Sequence, residues 1–237
     1  MRRCQNAHMA PLACVYALGG VHHLIETIQR AFDMGVELAR LDCRDEASAL
    51  PAKERKPDIL LQRGQKAADL RLRPMEERDL DAVVTACRDA ATQRWTTLPA
   101  SYRRGDAEGF LRHCRTSWAD GSAACFVIAD ADDAYAGTIY LRLSATDPLA
   151  ADVGFMTAPH ARGRGYQPAA LVALSAWGFT SLGLGRVEWA ANVGNTASRR
   201  VAEKAGFVFE GTRRAALTHR GERVDVWVAA LTATDLT

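Results

Sequence analysis

Glycine and arginine alternate beyond the middle of the chain, in the order Arg162, Gly163, Arg164, Gly165. The apolar segment before them, residues 152–159, ends in proline and is typical of a buried strand. The apolar-rich segment after them, residues 169–182, has near-helical spacing and is followed by glycine, a common helix stop. Glycines let backbone N–H groups approach a ligand closely, and a helix start adds unpaired donors and a positive dipole end. This strand, turn and helix therefore predict a phosphate-binding corner, to which the arginines add positive potential.

An ordinary strand, basic turn and helix without a ligand is the alternative interpretation, because short glycine motifs often occur by coincidence. The chain also lacks the motifs of the common nucleotide sites. It has no Gly-x-x-x-x-Gly-Lys-Ser/Thr, and no third glycine completes a dinucleotide fingerprint. A phosphate bound at this turn would therefore belong to a different kind of cofactor.

A second pattern follows the predicted helix. A strand over residues 187–192 leads into Asn195 and Ser198, and the next helix ends in Gly206-Phe207. Taken together, the glycine turn and this block resemble the GNAT superfamily of acetyltransferases. The spacing Asn-x-x-Asn-x-x-Ser is similar to the RimJ/RimL-like branch, which acetylates protein N-terminal amines. The resemblance covers about residues 70–236.

The resemblance implies an α/β fold of the GNAT type. Its mixed, mostly antiparallel sheet would have about seven strands with a splayed central pair, flanked by helices. It also implies that acetyl-CoA is the cosubstrate and that a primary amine accepts the acetyl group. A protein N-terminal amine of the ribosomal-protein type is the first candidate acceptor, and a small amine or antibiotic is the second. A non-catalytic module that senses acyl-CoA is the alternative from a different functional class.

Residues at the splay and in the glycine turn are implied to hold acetyl-CoA. Backbone groups of the central strand would pair with the pantetheine arm like an added strand, and the turn would bind the pyrophosphate. The implied cofactor-binding residues are Phe155, Met156, Thr157, Arg162, Gly163, Arg164, Gly165, Tyr166, Asn195 and Ser198.

Acetyl transfer to an amine needs a group that removes the amine proton, and it benefits from a proton donor for the leaving thiolate. Asp152 and Glu188 are the candidate bases, since they lie on the two strands expected to splay; each could instead form a salt bridge. Many GNAT enzymes carry a tyrosine where this chain has Ala202. The RimJ/RimL-like pattern instead implies a serine donor at Ser198, acting directly or through water, although its hydroxyl could equally bond the preceding turn of its helix.

The acceptor site is expected on the other side of the thioester. Trp95, in the segment 94–99 between two predicted helices, is the candidate wall of this site, although it could equally belong to the core. Tyr102 and the loop 218–222 are predicted to complete the wall.

The length of 237 residues suggests one domain with an extension. We divide the chain into a helical extension over residues 1–41, a linker over 42–69 and an acetyltransferase domain over 70–237. Residues 24–41 form an amphipathic helical pattern whose apolar stripe needs a partner surface, either the domain or a second copy in a homodimer.

Composition limits the class of protein. A formal net charge of +2 argues against a dedicated nucleic-acid binder. Six cysteines without metal-ligand spacing indicate a reducing compartment and no metal site. The apolar segment 9–21 is too short to span a membrane. We therefore expect a cytoplasmic enzyme without a membrane partner.

Local patterns predict the other elements of the domain. The first helix is expected to be capped by Asp79, and a hairpin is expected around Arg220-Gly221. The predicted helices cover residues up to 91, then 104–119 and 195–205, and the predicted strands cover 70–73, 125–129, 137–143, 186–191, 207–213 and 224–231.

Overall fold

A computed structural model describes residues 59–60 and 70–236 of the chain. The strands are β1 (Ile59–Leu60), β2 (Arg71–Arg73), β3 (Ala123–Ala129), β4 (Tyr135–Leu143), β5 (Ala150–Thr157), β6 (Arg186–Asn192), β7 (Val208–His219) and β8 (Glu222–Thr232). The helices are α1 (Leu80–Arg88), α2 (Ala90–Trp95), α3 (Arg104–Ala119), α4 (Tyr166–Ser181) and α5 (Thr196–Lys204). The predicted helix over residues 24–41 lies outside the described residues.

One mixed sheet runs through the described part of the chain, in the order β1-β2-β3-β4-β5-β6-β8-β7. Every neighbouring pair is antiparallel except β5 and β6, which run parallel. Seven of the strands form the predicted mixed, mostly antiparallel sheet, which is confirmed. The two-residue strand β1 lies in the segment predicted as a linker and extends the sheet beyond β2.

The central pair of strands separates. β5 pairs with β6 only from Ala150 with Arg186 to Val153 with Trp189. Further along, β5 stays paired with β4 as far as Thr157, while β6 stays paired with β8 to its end. The predicted splay is therefore confirmed, and it opens a gap that is bordered by the free edge of β5.

Helices α4 and α5 cover one face of the sheet, which we call the helix face. Leu141 on β4 packs against Gly178 of α4, and Trp189 on β6 contacts Ser198 of α5. Because strand side chains alternate between faces, Tyr140, the neighbour of Leu141, points to the opposite side.

The opposite side of the sheet is covered only in part. Helix α1 begins on this side, next to Arg73 of β2, and contacts β4. Helix α3 contacts β3 and reaches the helix face, where Trp118 packs against Phe126 of β3 and Trp177 of α4. Over the ends of β4, β5 and β6 the opposite side carries charged side chains that stay accessible to water: Arg142, Asp152 and Glu188 keep 30%, 26% and 55% of their side-chain surface exposed. We call this region the open face.

Helix α3 has the bounds that its sequence predicts. Buried residues at helical spacing, including Phe110, Leu111, Cys114 and Trp118, form a continuous apolar side that packs against the sheet. No helix among the described residues is long and apolar enough to cross a bilayer.

The prediction of one helix from Asp79 to residue 91 is wrong. The backbone is extended at Asp89, where the carboxylate accepts a hydrogen bond from the amide of Thr92 and starts α2 as a separate helix. Asp79 does not cap α1, because its carboxylate forms a buried ion pair with Arg73 and accepts from the amide of Glu76.

Three arginines converge on Asp133 in the β3–β4 turn. Its carboxylate accepts hydrogen bonds from Arg71, Arg73 and Arg78, which connects the turn to β2 and to the start of α1. Burial by itself pushes the pKa of the Asp133 carboxyl upward, but the hydrogen bonds from the three arginines outweigh burial and lower the pKa to about 2. The ionised carboxylate therefore stabilises the start of the domain.

We expect Asp133→Asn to lower the free energy of unfolding by about 1–2 kcal/mol near neutral pH, because charge-assisted hydrogen bonds at a partly exposed site are lost. The depressed pKa means that this stabilisation is present above the ordinary carboxyl pKa of about 3.9 and disappears as the pH falls through about 2. Urea unfolding of both proteins between those limits should show the difference shrinking. A difference that stays constant over this range would contradict the assignment.

Candidate active site

The glycine turn lies at the end of β5, next to the gap. Its two glycines have left-handed backbone angles, with φ of 77° at Gly163 and 81° at Gly165. This conformation is strained for other residues and explains why glycine is needed at both positions. Within residues 70–236, the amides of Gly163, Gly165 and Tyr166 donate to no other group. The turn therefore presents unused donors at the start of α4, which suits an anion.

The two arginines of the turn differ in their surroundings. Arg164 is exposed. The guanidinium of Arg162 donates to the carboxylate of Asp89 and to Oγ1 of Thr92, at 3.1 Å from the latter. Arg162 thus ties the turn to the start of α2 through its side chain, and the cofactor-binding role that the resemblance implies for it stays a prediction.

The free edge of β5 consists of backbone groups. Phe155, Met156 and Thr157 lie beyond the last pair with β6, so those of their main-chain groups that point away from β4 face the gap. The side chain of Thr157 is directed elsewhere, because its hydroxyl donates to Oε1 of the buried Gln167 in α4, at 2.9 Å. This part of β5 can therefore pair with an extended ligand through its main chain.

Asn195 and Ser198 lie on the helix face of the gap. The side chain of Asn195 caps α5 by accepting a hydrogen bond from the amide of Ser198, at 3.2 Å. Oγ of Ser198 accepts a hydrogen bond from Nε1 of the buried Trp189, at 3.1 Å. The hydroxyl is therefore held by the indole, and its own proton can be directed to another acceptor.

The two candidate carboxylates are register partners on the open face, where Asp152 of β5 lies beside Glu188 of β6. Asp152 forms a two-pronged ion pair with Arg142, at 2.8 and 2.9 Å. Burial raises the pKa of the Asp152 carboxyl above its usual range, and the charge of Glu188 adds to this rise against the opposing effect of Arg142. Glu188 is more exposed and accepts a hydrogen bond from Arg186 at 2.8 Å.

Tyr140 lies against Gly154 at the point where the gap begins. The two residues are partners in the β4–β5 register, and the hydroxyl end of the ring occupies the space that a side chain at Gly154 would fill. Only glycine leaves room for the phenol at this point.

Trp95 reaches the far border of the gap. Its ring lies 3.5 Å from where a side chain on Gly194, just after β6, would begin, and it is half-buried. The β7–β8 turn reaches the same segment, since Arg220 donates to the carbonyl of Gln93 at 2.7 Å and the ring of His219 lies 3.2 Å from the carbonyl of Arg94. The loop 218–222 and Trp95 are thus brought together.

The prediction for Tyr102 needs correction. Its side chain is fully buried under α1, so it cannot line an accessible acceptor site. Burial raises the pKa of the Tyr102 phenol, which contacts Cys87.

A family model for the acetyltransferase (GNAT) domain matches residues 69–208, which is more than half of the chain. The chain belongs to the GNAT acetyltransferase family. Acetyl-CoA is the cosubstrate of this N-acetyltransferase family, and the unused turn amides and the free edge of β5 fit its pyrophosphate and pantetheine.

The chain is also similar to individual known proteins in sequence and in structure. The chain is 25% identical over 163 residues to an uncharacterized N-acetyltransferase, p20, of Bacillus licheniformis, covering 68% of this chain and 92% of the relative. It is similar to the structure of Mycobacterium smegmatis RimJ in complex with CoA-disulfide, with a TM-score of 0.64, 24% identity, and coverage of 70% and 83%. It is also similar to RimL, a ribosomal L7/L12 alpha-N-protein acetyltransferase, with a TM-score of 0.65, 21% identity, and coverage of 74% and 94%.

Three residues of the site carried no assigned role in the sequence analysis. Trp189 orients Ser198, Asp89 holds Arg162, and Tyr140 lies over Gly154. The polar alternation of Thr138, Tyr140 and Arg142 along β4 was the available signal for Tyr140. The contacts of Trp189 with Ser198 and of Asp89 with Arg162 join separate elements, and no local sequence pattern predicts them.

We expect Gly165→Ala to weaken acetyl-CoA binding about tenfold, because alanine resists the φ of 81° that aims the turn amides. No atom lies within 4 Å of the added methyl group, so the change acts on the backbone alone. Gly105→Ala in α3 is the matched control, since its surroundings are equally empty and its backbone is helical. Calorimetric titration with acetyl-CoA should separate the two variants; equal affinities would contradict this role of the turn.

Proposed function

We propose that this enzyme transfers the acetyl group of acetyl-CoA to a primary amine, and that the first acceptor to consider is a protein N-terminal amine. One observation carries the proposal: the β5–β6 gap has unused main-chain amides and a serine hydroxyl on the helix face, and two carboxylates lie next to its closed end on the open face. A thioester lying in this gap would have a cofactor side and an acceptor side.

The cofactor side would hold acetyl-CoA through main-chain donors. The amides of residues 163–166 would bind the pyrophosphate, and the backbone of residues 155–157 would pair with the pantetheine arm. Asn195 caps the helix that faces this arm from the other border of the gap.

The chemical step joins both sides. The amine nitrogen attacks the thioester carbonyl carbon, and the amine proton passes to Asp152 or Glu188, directly or through water. The C–S bond then breaks, and the thiolate takes a proton from Ser198, which regains one from solvent. The bond between the Ser198 hydroxyl and Trp189 supports this role, because it leaves the hydroxyl proton available.

The acceptor side suits the end of a polypeptide chain. Trp95 and the β7–β8 turn supply a wall, while the carboxylates can hold an ammonium group before it loses its proton. The RimL neighbour, described as an alpha-N-protein acetyltransferase, supports this acceptor class. The same carboxylates would also suit a small cationic amine, which is the second candidate.

The direct test measures CoA thiol release with peptides that begin with Ser, Thr or Ala, alongside the same peptides with a blocked N-terminus and a set of polyamines and aminoglycosides. We expect turnover with free N-termini only. Turnover with the polyamines or aminoglycosides alone would show that the acceptor is a small amine and not a protein N-terminus. Saturable acetyl-CoA binding without turnover on any acceptor would favour the sensing module. If excess acetyl-CoA fails to protect the folded protein against heat, the proposed cofactor site is wrong.

We expect Asp152→Asn to lower kcat/KM about 10²–10³-fold, as for loss of a general base. Because burial raises the pKa of Asp152, activity should fall as the pH drops through that raised value. Glu188→Gln should move this acid limb to lower pH, since it removes the neighbouring charge that raises the pKa. Asp147→Asn, in an exposed loop, is the control. A pH–rate profile of Asp152→Asn that matches wild type would exclude Asp152 as the base.

A further inference from the structure

The phenol of Tyr140 lies at the entrance of the gap. Tyr140 and Gly154 face each other across β4 and β5, and the Cζ and Oη atoms of the ring lie in the space of the missing Gly154 side chain. The ring therefore crosses from β4 to the backbone of β5 at Gly154.

Gly154 lies at the start of the gap between β5 and β6. Val153 is the last β5 residue that pairs with β6, so Gly154 is the first residue that borders the gap. A hydroxyl above Gly154 is therefore placed where the two strands separate, at the level expected for the reacting thioester.

Tyr140 lies on the acceptor side. By strand alternation it shares the open face with Arg142 and Asp152, whereas Ser198 approaches from the helix face. No phenol reaches the gap from α5 at the position of Ala202, which is a buried alanine.

We propose that the Tyr140 hydroxyl binds the acceptor amine and positions its nitrogen over the thioester carbon. This inference rests on the proposed acetyl transfer and adds a residue to its acceptor side. A phenol suits the task, because its oxygen accepts a hydrogen bond from the amine N–H while its own proton can be donated to a carboxylate or water.

Glycine at position 154 is part of the same arrangement. A side chain there would displace the phenol of Tyr140. Gly154→Ala should therefore reproduce the effect of losing the hydroxyl, although the residue at position 140 is still tyrosine.

The test compares Tyr140→Phe with Tyr135→Phe, which removes a buried hydroxyl from the same strand away from the gap. The acceptor is the free-N-terminal peptide or amine that wild type turns over best. We expect Tyr140→Phe to lower kcat/KM for the acceptor about tenfold, as for the loss of one hydrogen bond in the transition state, with KM for acetyl-CoA unchanged. Tyr135→Phe should match wild type in both constants. A purely structural role of Tyr140 would instead raise both KM values and lower the melting temperature.

The absence of turnover on every acceptor would count against the proposed function itself. A second readout tests the role of Tyr140 in that case. The protein is labelled with 3-fluorotyrosine, and the Tyr140 and Tyr135 resonances are assigned from the two Phe variants. Acetyl-CoA should shift the Tyr140 fluorine signal and leave that of Tyr135 in place. Wild-type acceptor kinetics in Tyr140→Phe, or a Tyr140 signal that saturating acetyl-CoA does not move, would overturn the inference.

Discussion

A sheet that stops pairing in its interior leaves main-chain donors and acceptors without partners, and this constraint governs the whole site. Beyond Val153 and Trp189, β5 and β6 each keep only one strand neighbour. Unpaired backbone groups away from water are costly, so such a gap is stable only where water or a ligand can satisfy them. The glycine turn and the cap of α5 stand at its two borders, which makes the separated strands the frame on which the site is built.

The sheet also divides the chemistry between its faces. On the helix face, the contact between Trp189 and Ser198 and the unused amides of the glycine turn suit the thiol and phosphate parts of a cofactor. On the open face, Asp152 and its charged neighbours are half-exposed and suit an incoming amine. In the proposed reaction, the alternation of side chains along β5 and β6 would place the two substrates on opposite faces of one sheet.

The sequence predicts those elements whose information is local. The apolar spacing within α3 defines its bounds, and the resemblance supplies the strand separation. The break at Asp89 was missed because the same carboxylate holds Thr92 nearby and Arg162 on a distant segment. Tyr102 was misplaced because an aromatic residue between two helices gives the same pattern whether it is buried or exposed. The contact of Tyr140 with Gly154 depends on how β4 and β5 pair across the loop between them, and the sequence analysis did not align these two strands.

Helix α2 has only six residues, far fewer than a helix needs to persist by itself in water. It is held from outside, at one end by the bond from Arg162 to Asp89 and at the other by the bond from Arg220 to Gln93. These two attachments, one from each border of the gap, therefore contribute to the free energy of its local opening. The rate of amide hydrogen exchange within α2 should therefore respond to a change in the glycine turn or in the β7–β8 turn.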